Sequence, residues 1–469
     1  MTVEYYQRLL RSVFEGRKVI LATGTIVGMA RRLESLQKLG VEECFLVGDS
    51  MGTGDLPEDL EVPWKVIVEE KAPDMLTGIR NYNQALENPS SELVDALHRF
   101  DPDGEAIVLN AHVSDVMELA GRPRLGARQP RWAALEDKVV IDAFWDRAGV
   151  KRASSVVVEA GDFEESRRVS ELLDEGSGTA WAGDTRQGFN GGAVYVRRVA
   201  NKEDARRAHE FFKGSCHQVR IMPFLEGIPC SIHGVVFPQK VIAFRPVEMV
   251  VFRRRDSPKL LYSGFSTWWD PKEEDREYMR QVAKEVGALL REEVGYRGAF
   301  TIDGVMTPTG FIPTELNART GGAFRTLVHG EPEMPLEYLE VCIREGLPLD
   351  YRPEELEEFV LNTADAHRTG GGWTVVKTVF EKTEKYQLHL TQSGSFRLEE
   401  HGEEEGVGTL SVGPSSVGGF LNFHPAKSQM TAGNSIAPMV ARVWALADRE
   451  FQTEFGELIP AVVGDPHGC

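Results

Sequence analysis

The stretch from Tyr296 to Gly322, YRGAFTIDGVMTPTGFIPTELNARTGG, constrains this chain more than any other. Ala299 to Val305 is a short apolar run holding one acid, Asp303. Thr307-Pro308-Thr309-Gly310 has the composition of a turn. Phe311 to Leu316 returns as a second strand carrying Glu315, and Asn317 follows at once. Strand side chains alternate between faces, so Glu315 and Asn317 point the same way. Pairing across the turn lets Asp303 lie beside them, with Arg319 two residues on. Two carboxylates and an amide oxygen suit Mg²⁺, a hard ion that takes oxygen ligands and shares them with nucleotide phosphates. An arginine there sits over phosphate charge that metals leave uncompensated. Each acid read singly is a solvated surface residue; the ordered set is what points to a metal site.

Bulk properties narrow the remaining options. The 469 residues suffice for several domains, with a composition ordinary for a globular protein. The formal charge of -19 argues against a general nucleic-acid binder, and Arg253 to Arg255, followed by Asp256, is too short to offset it. No apolar run approaches the ~20 residues of a membrane helix. The N-terminal MTVEYYQRLLRSVFEG lacks the apolar segment of a secretory signal. The five cysteines are odd in number and form no Cys-x-x-Cys. They read as free thiols in a reducing cytoplasm, with no partner membrane or nucleic acid.

Along the chain, residues 1 to about 130 alternate short apolar runs (KVILA from Lys18, CFLV from Cys44, KVIV from Lys65, AIVL from Ala106) with helical patterns. That alternation predicts a parallel sheet covered by helices. Thr23 to Gly28 leads from strand to helix, either as an anion-holding turn or as a tight turn without a ligand. Arg122 to Arg131 reads as a linker. Leu135 to Val150 is roughly helical, with Gly149 as its cap. Gly188-Phe189-Asn190-Gly191-Gly192 can fold amides over a phosphate or make an ordinary hairpin turn. Gln218 to Leu225 alternates as a strand ending at Glu226-Gly227. Arg245 to Arg255 and Leu261 to Trp269 form an aromatic, arginine-rich block that suits a pocket for an organic acid, although most of those arginines read as a solvated strand edge. Lys272 to Glu293 is an amphipathic helix. Beyond Gly330, Pro335 to Arg344 reads as a helix, Phe359 to Asp365 and Trp373 to Phe380 as strands, and Glu399 to Glu405 as a solvated acidic turn. Ser411 to Gly419 reads as a mobile loop and Ser435 to Leu446 as a helix. His367, His424 and Lys427 fall in loops without a pattern that assigns them a role.

The hairpin resembles the metal-binding signature of the ATP-grasp superfamily, and its expected partners stand upstream in order. The resemblance implies Asp303, Glu315 and Asn317 as metal ligands and Arg319 as a phosphate ligand. It implies that Lys138, in an Asp137-Lys138 opening a helix that ends in Gly149-Val150, reaches the nucleotide phosphates. It makes Gly188, Asn190, Gly191 and Gly192 a glycine-rich lid. Met222, Phe224 and Leu225 become the adenine hinge, with Glu226 as a substitute for the ribose glutamate, since Pro229 stands in its place. A second departure is Thr179-Ala180-Trp181-Ala182, which lacks the family's strand lysine; Arg186 or Arg197 would supply that charge.

The implied fold is α/β, turning α+β in the C-terminal part. A pre-ATP-grasp Rossmann-like domain (1–130) precedes an ATP-grasp N-terminal subdomain with the lid (131–215), a catalytic subdomain (216–335) and a C-terminal extension (336–469). The implied activity is an ADP-forming carboxylate–amine ligase joining amino acids through an acyl phosphate. It uses ATP and two Mg²⁺ ions, with Mn²⁺ as a substitute, in a cytoplasmic protein with a homodimer as one assembly. NTADAH, GGWTVVKTVF, HLTQSG and FHPAKSQMTAGNSIAPMV resemble the extension of pheganomycin-type peptide ligases, which implies natural-product biosynthesis. The alternatives are another ATP-grasp reaction, carboxylase or phosphotransferase, and a non-catalytic ATP-binding regulator.

Overall fold

A computed structural model describes residues 2–58, 60–68, 70–110, 113–186, 188, 191–392, 394–400 and 406–461. The chain opens with α1 (Val3–Phe14), β1 (Lys18–Gly24), α2 (Ile26–Ala30), α3 (Leu33–Lys38), β2 (Glu43–Gly48), β3 (Trp64–Val66), α4 (Met75–Glu87), α5 (Ser91–Phe100) and β4 (Ile107–Asn110). The four strands form a parallel sheet in the order β3-β2-β1-β4. Its residues alternate between two cores. Val19, Leu21 and Leu46 pack to one side, Ile20, Ala22, Phe45 and Val47 to the other. Burial on both faces is why these strands read as continuous apolar runs. Thr25 caps α2, its hydroxyl accepting the Gly28 N–H at 3.1 Å.

The segment Arg122 to Arg131 is not a linker. It follows β5 (Glu118–Leu119), contains β6 (Arg122–Pro123) and leads into α6 (Pro130–Ala133). Arg122, Arg124 and Arg128 are buried. Arg122 Nε lies 2.5 Å from Asp101 Oδ2, and Arg128 pairs with both Asp115 and Glu136 at 2.5 Å. Composition reads arginine and proline as solvated; carboxylates distant in the sequence make this stretch part of the interior.

A 3₁₀ turn (Ala134–Glu136) and α7 (Ile141–Arg147) follow, so Asp137 and Lys138 precede their helix instead of opening it. Next come β7 (Val156–Glu159), α8 (Phe163–Leu173), β8 (Thr179–Gly183), β9 (Val196–Val199), α9 (Lys202–Ser215) and β10 (Gln218–Pro223). β10 pairs antiparallel with β7 and β8, and β8 with β9. The central elements are β11 (Ile228–Val236), β12 (Val241–Arg254), β13 (Ser257–Ser266), α10 (Glu273–Val294), β14 (Gly298–Thr307) and β15 (Gly310–Asn317). After α11 (Leu336–Glu345) and α12 (Pro353–Ala366), β16 (Gly370–Val376), β17 (Glu384–Leu390), β18 (Phe396–Glu400), β19 (Gly408–Pro414), β20 (Gly419–Pro425), α13 (Ala437–Phe451) and β21 (Leu458–Pro460) complete the described chain.

Ten of these strands run as one path, β15-β14-β11-β12-β13-β16-β20-β19-β17-β18. The sheet therefore passes without interruption from the hairpin region into the C-terminal strands, through Gly264↔Gly372 and its neighbours. Glu248 of β12 ties the same two regions together. Its buried carboxylate accepts the Ser435 hydroxyl and the N–H groups of Ile436 (3.0 Å) and Ala437 (3.4 Å) at the start of α13. Those N–H groups have no intrahelical partner, so the carboxylate satisfies them where the helix dipole favours negative charge. Burial pushes its pKa up to about 7 against those bonds.

Other expectations need correcting. Residues 359–365 are helical, inside α12, where Leu356, Val360 and Thr363 repeat on one buried face. Residues 411–419 belong to β19, β20 and the turn between them. β12 is not an edge: it pairs with β11 and β13, and buried Arg245 holds Asp270 (2.5 Å) and Asp365 (2.6 Å). Of the acidic turn, residues 401–405 lie outside the described residues. Cys44, Cys216, Cys230 and Cys342 are buried free thiols, and Cys469 lies outside the described residues. Among the described residues no helix is long and apolar enough to cross a membrane.

Candidate active site

The hairpin is built by its two-residue period. Phe300, Ile302, Phe311 and Leu316 bury against Met279, Val282 and Val286 of α10. Phe311 and Leu316 lie five apart, so both can face the helix only if one strand gains a residue. A register shift between Asp303 and Gly304 supplies it, leaving Thr314 as the extra residue. Beyond the bulge, Asp303 sits opposite Glu315 and Thr301 opposite Asn317. All four turn to a cleft of about 550 Å³.

There the polar groups interlock. Asn317 Nδ2 donates to Asp303 Oδ2 at 2.9 Å. Lys138 Nζ donates to Glu315 Oε1 at 2.9 Å. Arg319 Nη2 donates to Asn317 Oδ1 at 2.8 Å and its Nε to Glu136 Oε2 at 3.3 Å. Glu136 also holds Arg128. Burial alone would raise the Glu136 pKa, but Arg319 and Arg128 outweigh it and hold the carboxyl below the usual range. Asp303 goes the other way. Burial first, and then Glu315 opposite, push it up to about 7. Two facing carboxylates with so little water repel each other, and a divalent cation between them would relieve both effects.

A sign follows for the metal-free protein. An unfolded aspartate titrates near about 3.9. Between there and about 7 the folded chain keeps a proton on Asp303 that the unfolded chain has released. Stability must therefore fall as pH rises through that window. Denaturant unfolding in EDTA at pH 5 and pH 8 should show this loss, and Asp303→Asn should remove that part of it. Equal pH dependence in the two proteins would refute the assignment.

The cleft also gathers much of the remaining set. Lys138, Met222, Phe224, Leu225, Glu226, Gly191, Gly192 and Arg319 line it with Asp303, Glu315 and Asn317. Gly188 does not line it, and Asn190 lies outside the described residues. Gly227 follows Glu226 at φ 145°, where any Cβ would fall 2.1 Å from the Met306 carbonyl oxygen. Glu226 is engaged by Arg253 at 2.8 Å. Ala180 and Ala182 line the wall where a strand lysine is absent. Arg186 does not line the cleft. Nor does Arg197, which is buried 3.9 Å over the Phe211 ring and donates to the Val194 and Val196 carbonyls. The cation at that wall is Arg220, directly opposite Ala182, reaching the cleft while paired with Asp142 at 2.7 Å.

Sequence reading missed Ser231, His233 and Thr301, whereas Tyr262 and Phe265 of the aromatic block do line the cleft. Ser231 and His233 are the polar alternates of an otherwise apolar strand, a weak signal that was present. His233 is 1% exposed; its Nδ1 is 3.0 Å from Thr301 Oγ1, and burial lowers its pKa to about 3, so the ring is neutral. The turn after Arg319 lies on this ring. A Cβ at Gly321 would come 2.6 Å from His233 Cε1 and 2.8 Å from Thr301 Oγ1. Gly321→Ala should therefore cost about 1–3 kcal/mol, because the hydrogen-bonded ring cannot retreat. Chemical denaturation measures it, and an unchanged midpoint would contradict the packing.

This architecture, a parallel four-stranded N-terminal sheet followed by a large antiparallel sheet that carries the Asp303–Glu315 hairpin, is the ATP-grasp fold. Among the solved structures that share it are these three. An N5-carboxyaminoimidazole ribonucleotide synthetase in its ADP complex is 12% identical with TM-score 0.50, over 93% of this chain and 98% of that one. The biotin carboxylase domain of Hydrogenobacter thermophilus 2-oxoglutarate carboxylase, with MgADP, ADP and bicarbonate, is 15% identical with TM-score 0.54, over 95% and 91%. The N5-carboxyaminoimidazole synthase of Aspergillus clavatus, with ADP and 5-aminoimidazole ribonucleotide, is 11% identical with TM-score 0.50, over 92% and 98%. At these identities the likeness is one of fold. No protein-family model and no curated protein matches the chain.

Proposed function

We propose that the chain is an ATP-dependent, ADP-forming carboxylate–amine ligase that joins amino acids. The observation that carries it is the facing pair Asp303 and Glu315, held with Lys138, Asn317 and Arg319 in one cleft beside the hinge. Among the described residues no three His, Cys, Asp or Glu gather as a metal site. Two carboxylates and an amide fit Mg²⁺, which keeps waters and takes phosphate oxygens as its remaining ligands. When bound, Mg²⁺ neutralises charge on the phosphates.

The chain's own groups do the rest. Lys138 and Arg220 hold phosphate oxygens, and Met222 to Leu225 hold the base. An oxygen of the substrate carboxylate bonds to the γ-phosphorus as the bridging P–O bond breaks and ADP leaves. The amine nitrogen then bonds to the carbonyl carbon, the carbon–oxygen bond to phosphate breaks, and the ammonium proton passes to solvent. Arg319 stabilises charge on the transferring group. No protein nucleophile is required, and burial pushes the Cys216 and Cys230 thiols up, which keeps them inert. Gly191 and Gly192, the latter near Met75 of α4, line the cleft and help exclude water from the acyl phosphate. The narrower likeness of residues 355–469 to pheganomycin-type ligases is the basis for expecting a peptide product in a natural-product pathway.

The test is a pairwise amino-acid screen with MgATP, reading phosphate release and product mass. Amide products with stoichiometric ADP are expected. ADP release that needs bicarbonate and no amino acid would replace this reading with a carboxylase.

A further inference from the structure

The nucleotide, metal and phosphate groups occupy the hinge and hairpin side of the cleft. A further wall of the cleft rests on β13 and β16 and has a different character. Tyr262, Phe265 and Trp373 form its wall, with Met249 and Val251 of β12 beside them. The Tyr262 and Trp373 rings meet edge to face, with centroids 5.3 Å apart and planes at 83°. Trp373 is backed by Phe420 at 6.4 Å. A Cβ at Gly322 would lie 3.4 Å from the Tyr262 hydroxyl and 3.6 Å from Phe265 Cε1, so the Arg319–Gly322 turn runs directly along the wall. Asp303 helps raise the Tyr262 pKa after burial does, which places the wall beside the reacting end of the cleft.

Charge narrows what can lie against it. Among the described residues the carboxylates lining the cleft are Asp303, Glu315 and Glu226; the first two form the proposed metal set and the third is held by Arg253. A cationic substrate side chain would meet no uncommitted acid on the aromatic side among the described residues. The lining cations among the described residues are Lys138, Arg220 and Arg319, which the proposed phosphates engage, and Arg253, which pairs with Glu226, so an anionic side chain would compete for a cation already committed. Resting on the ligase reading above, we infer that the activated carboxylate belongs to an amino acid with an aromatic or branched apolar side chain. That side chain packs on Tyr262, Phe265 and Trp373, and the C-terminal strand β16 thereby sets specificity through Trp373.

Calorimetric titration of the full chain in MgADP, with L-phenylalanine, L-leucine, L-aspartate and L-lysine as probes, tests this without turnover. L-Phenylalanine and L-leucine should bind, and the two charged amino acids should bind at least about tenfold more weakly. Trp373→Ala should weaken L-phenylalanine about tenfold while leaving MgADP affinity unchanged, and Trp373→Phe should restore most of it. Unchanged MgADP affinity shows that the variant is folded. Charged amino acids binding as tightly as L-phenylalanine, no binding of either apolar one, or full affinity in Trp373→Ala would overturn the inference. Apolar binding without ADP release for any amine would instead count against the ligase reading and leave the subsite standing.

Discussion

Glu315→Gln is expected to lower ATP-dependent ADP release by about a hundredfold to a thousandfold, the range seen when one oriented electrostatic group is lost from such a site. The side chain keeps its shape but loses a charge on which two others depend. Lys138 loses the carboxylate charge that it meets at 2.9 Å, and Asp303 loses the repulsion that helps keep it protonated. The variant should therefore fold normally and bind a divalent cation weakly, and its residual turnover should need more Mg²⁺. Near wild-type turnover at low Mg²⁺ would remove the hairpin from the chemistry.

The second large effect is expected at Glu136, which touches no substrate. Its buried carboxylate lies between two buried guanidinium groups, Arg128 at 2.5 Å and Arg319 at 3.3 Å. Glu136→Gln leaves those cations facing each other with the negative charge gone. Breaking a buried ion pair in this way typically costs about 3–5 kcal/mol. The loss should appear as a lower denaturation midpoint and, because Arg319 is released, as slower turnover. A variant of wild-type stability whose activity is intact would show that Arg319 needs no such support.

These two residues also mark how far the sequence could be read. Glu315 was legible because the hairpin carries its message locally: alternation, a turn and three oxygen-bearing side chains within one strand pair. Even the bulge at Thr314 left Glu315 and Asn317 on one face, since both follow it. Glu136 was not legible, because its partners lie on either side of it in the sequence and, with Arg128, inside a stretch whose composition reads as solvated linker. Arg220 escaped for a related reason. The substitutes that the sequence offers for the missing lysine are Arg186 in the following loop and Arg197 on the next strand, whereas pairing with β10 places Arg220 opposite Ala182. Residues 359–365 were misread as a strand because Phe359, Val360 and Leu361 are apolar and partly β-branched. Pro353 at the first turn, two acids after it and the 356–360–363 spacing were the helix signals that should have outweighed them.

The uninterrupted pairing of β13 with β16 has a consequence for anyone recombining this chain. The last third is not a cassette that can be lifted off and exchanged. A donor segment would have to reproduce the Gly264↔Gly372 and Phe265↔Gly371 register, where glycines allow the two backbones to meet. It would also have to offer a helix start to Glu248. A chimera that met neither demand would leave β13 as a raw edge, open to pairing with whatever strand it next encountered.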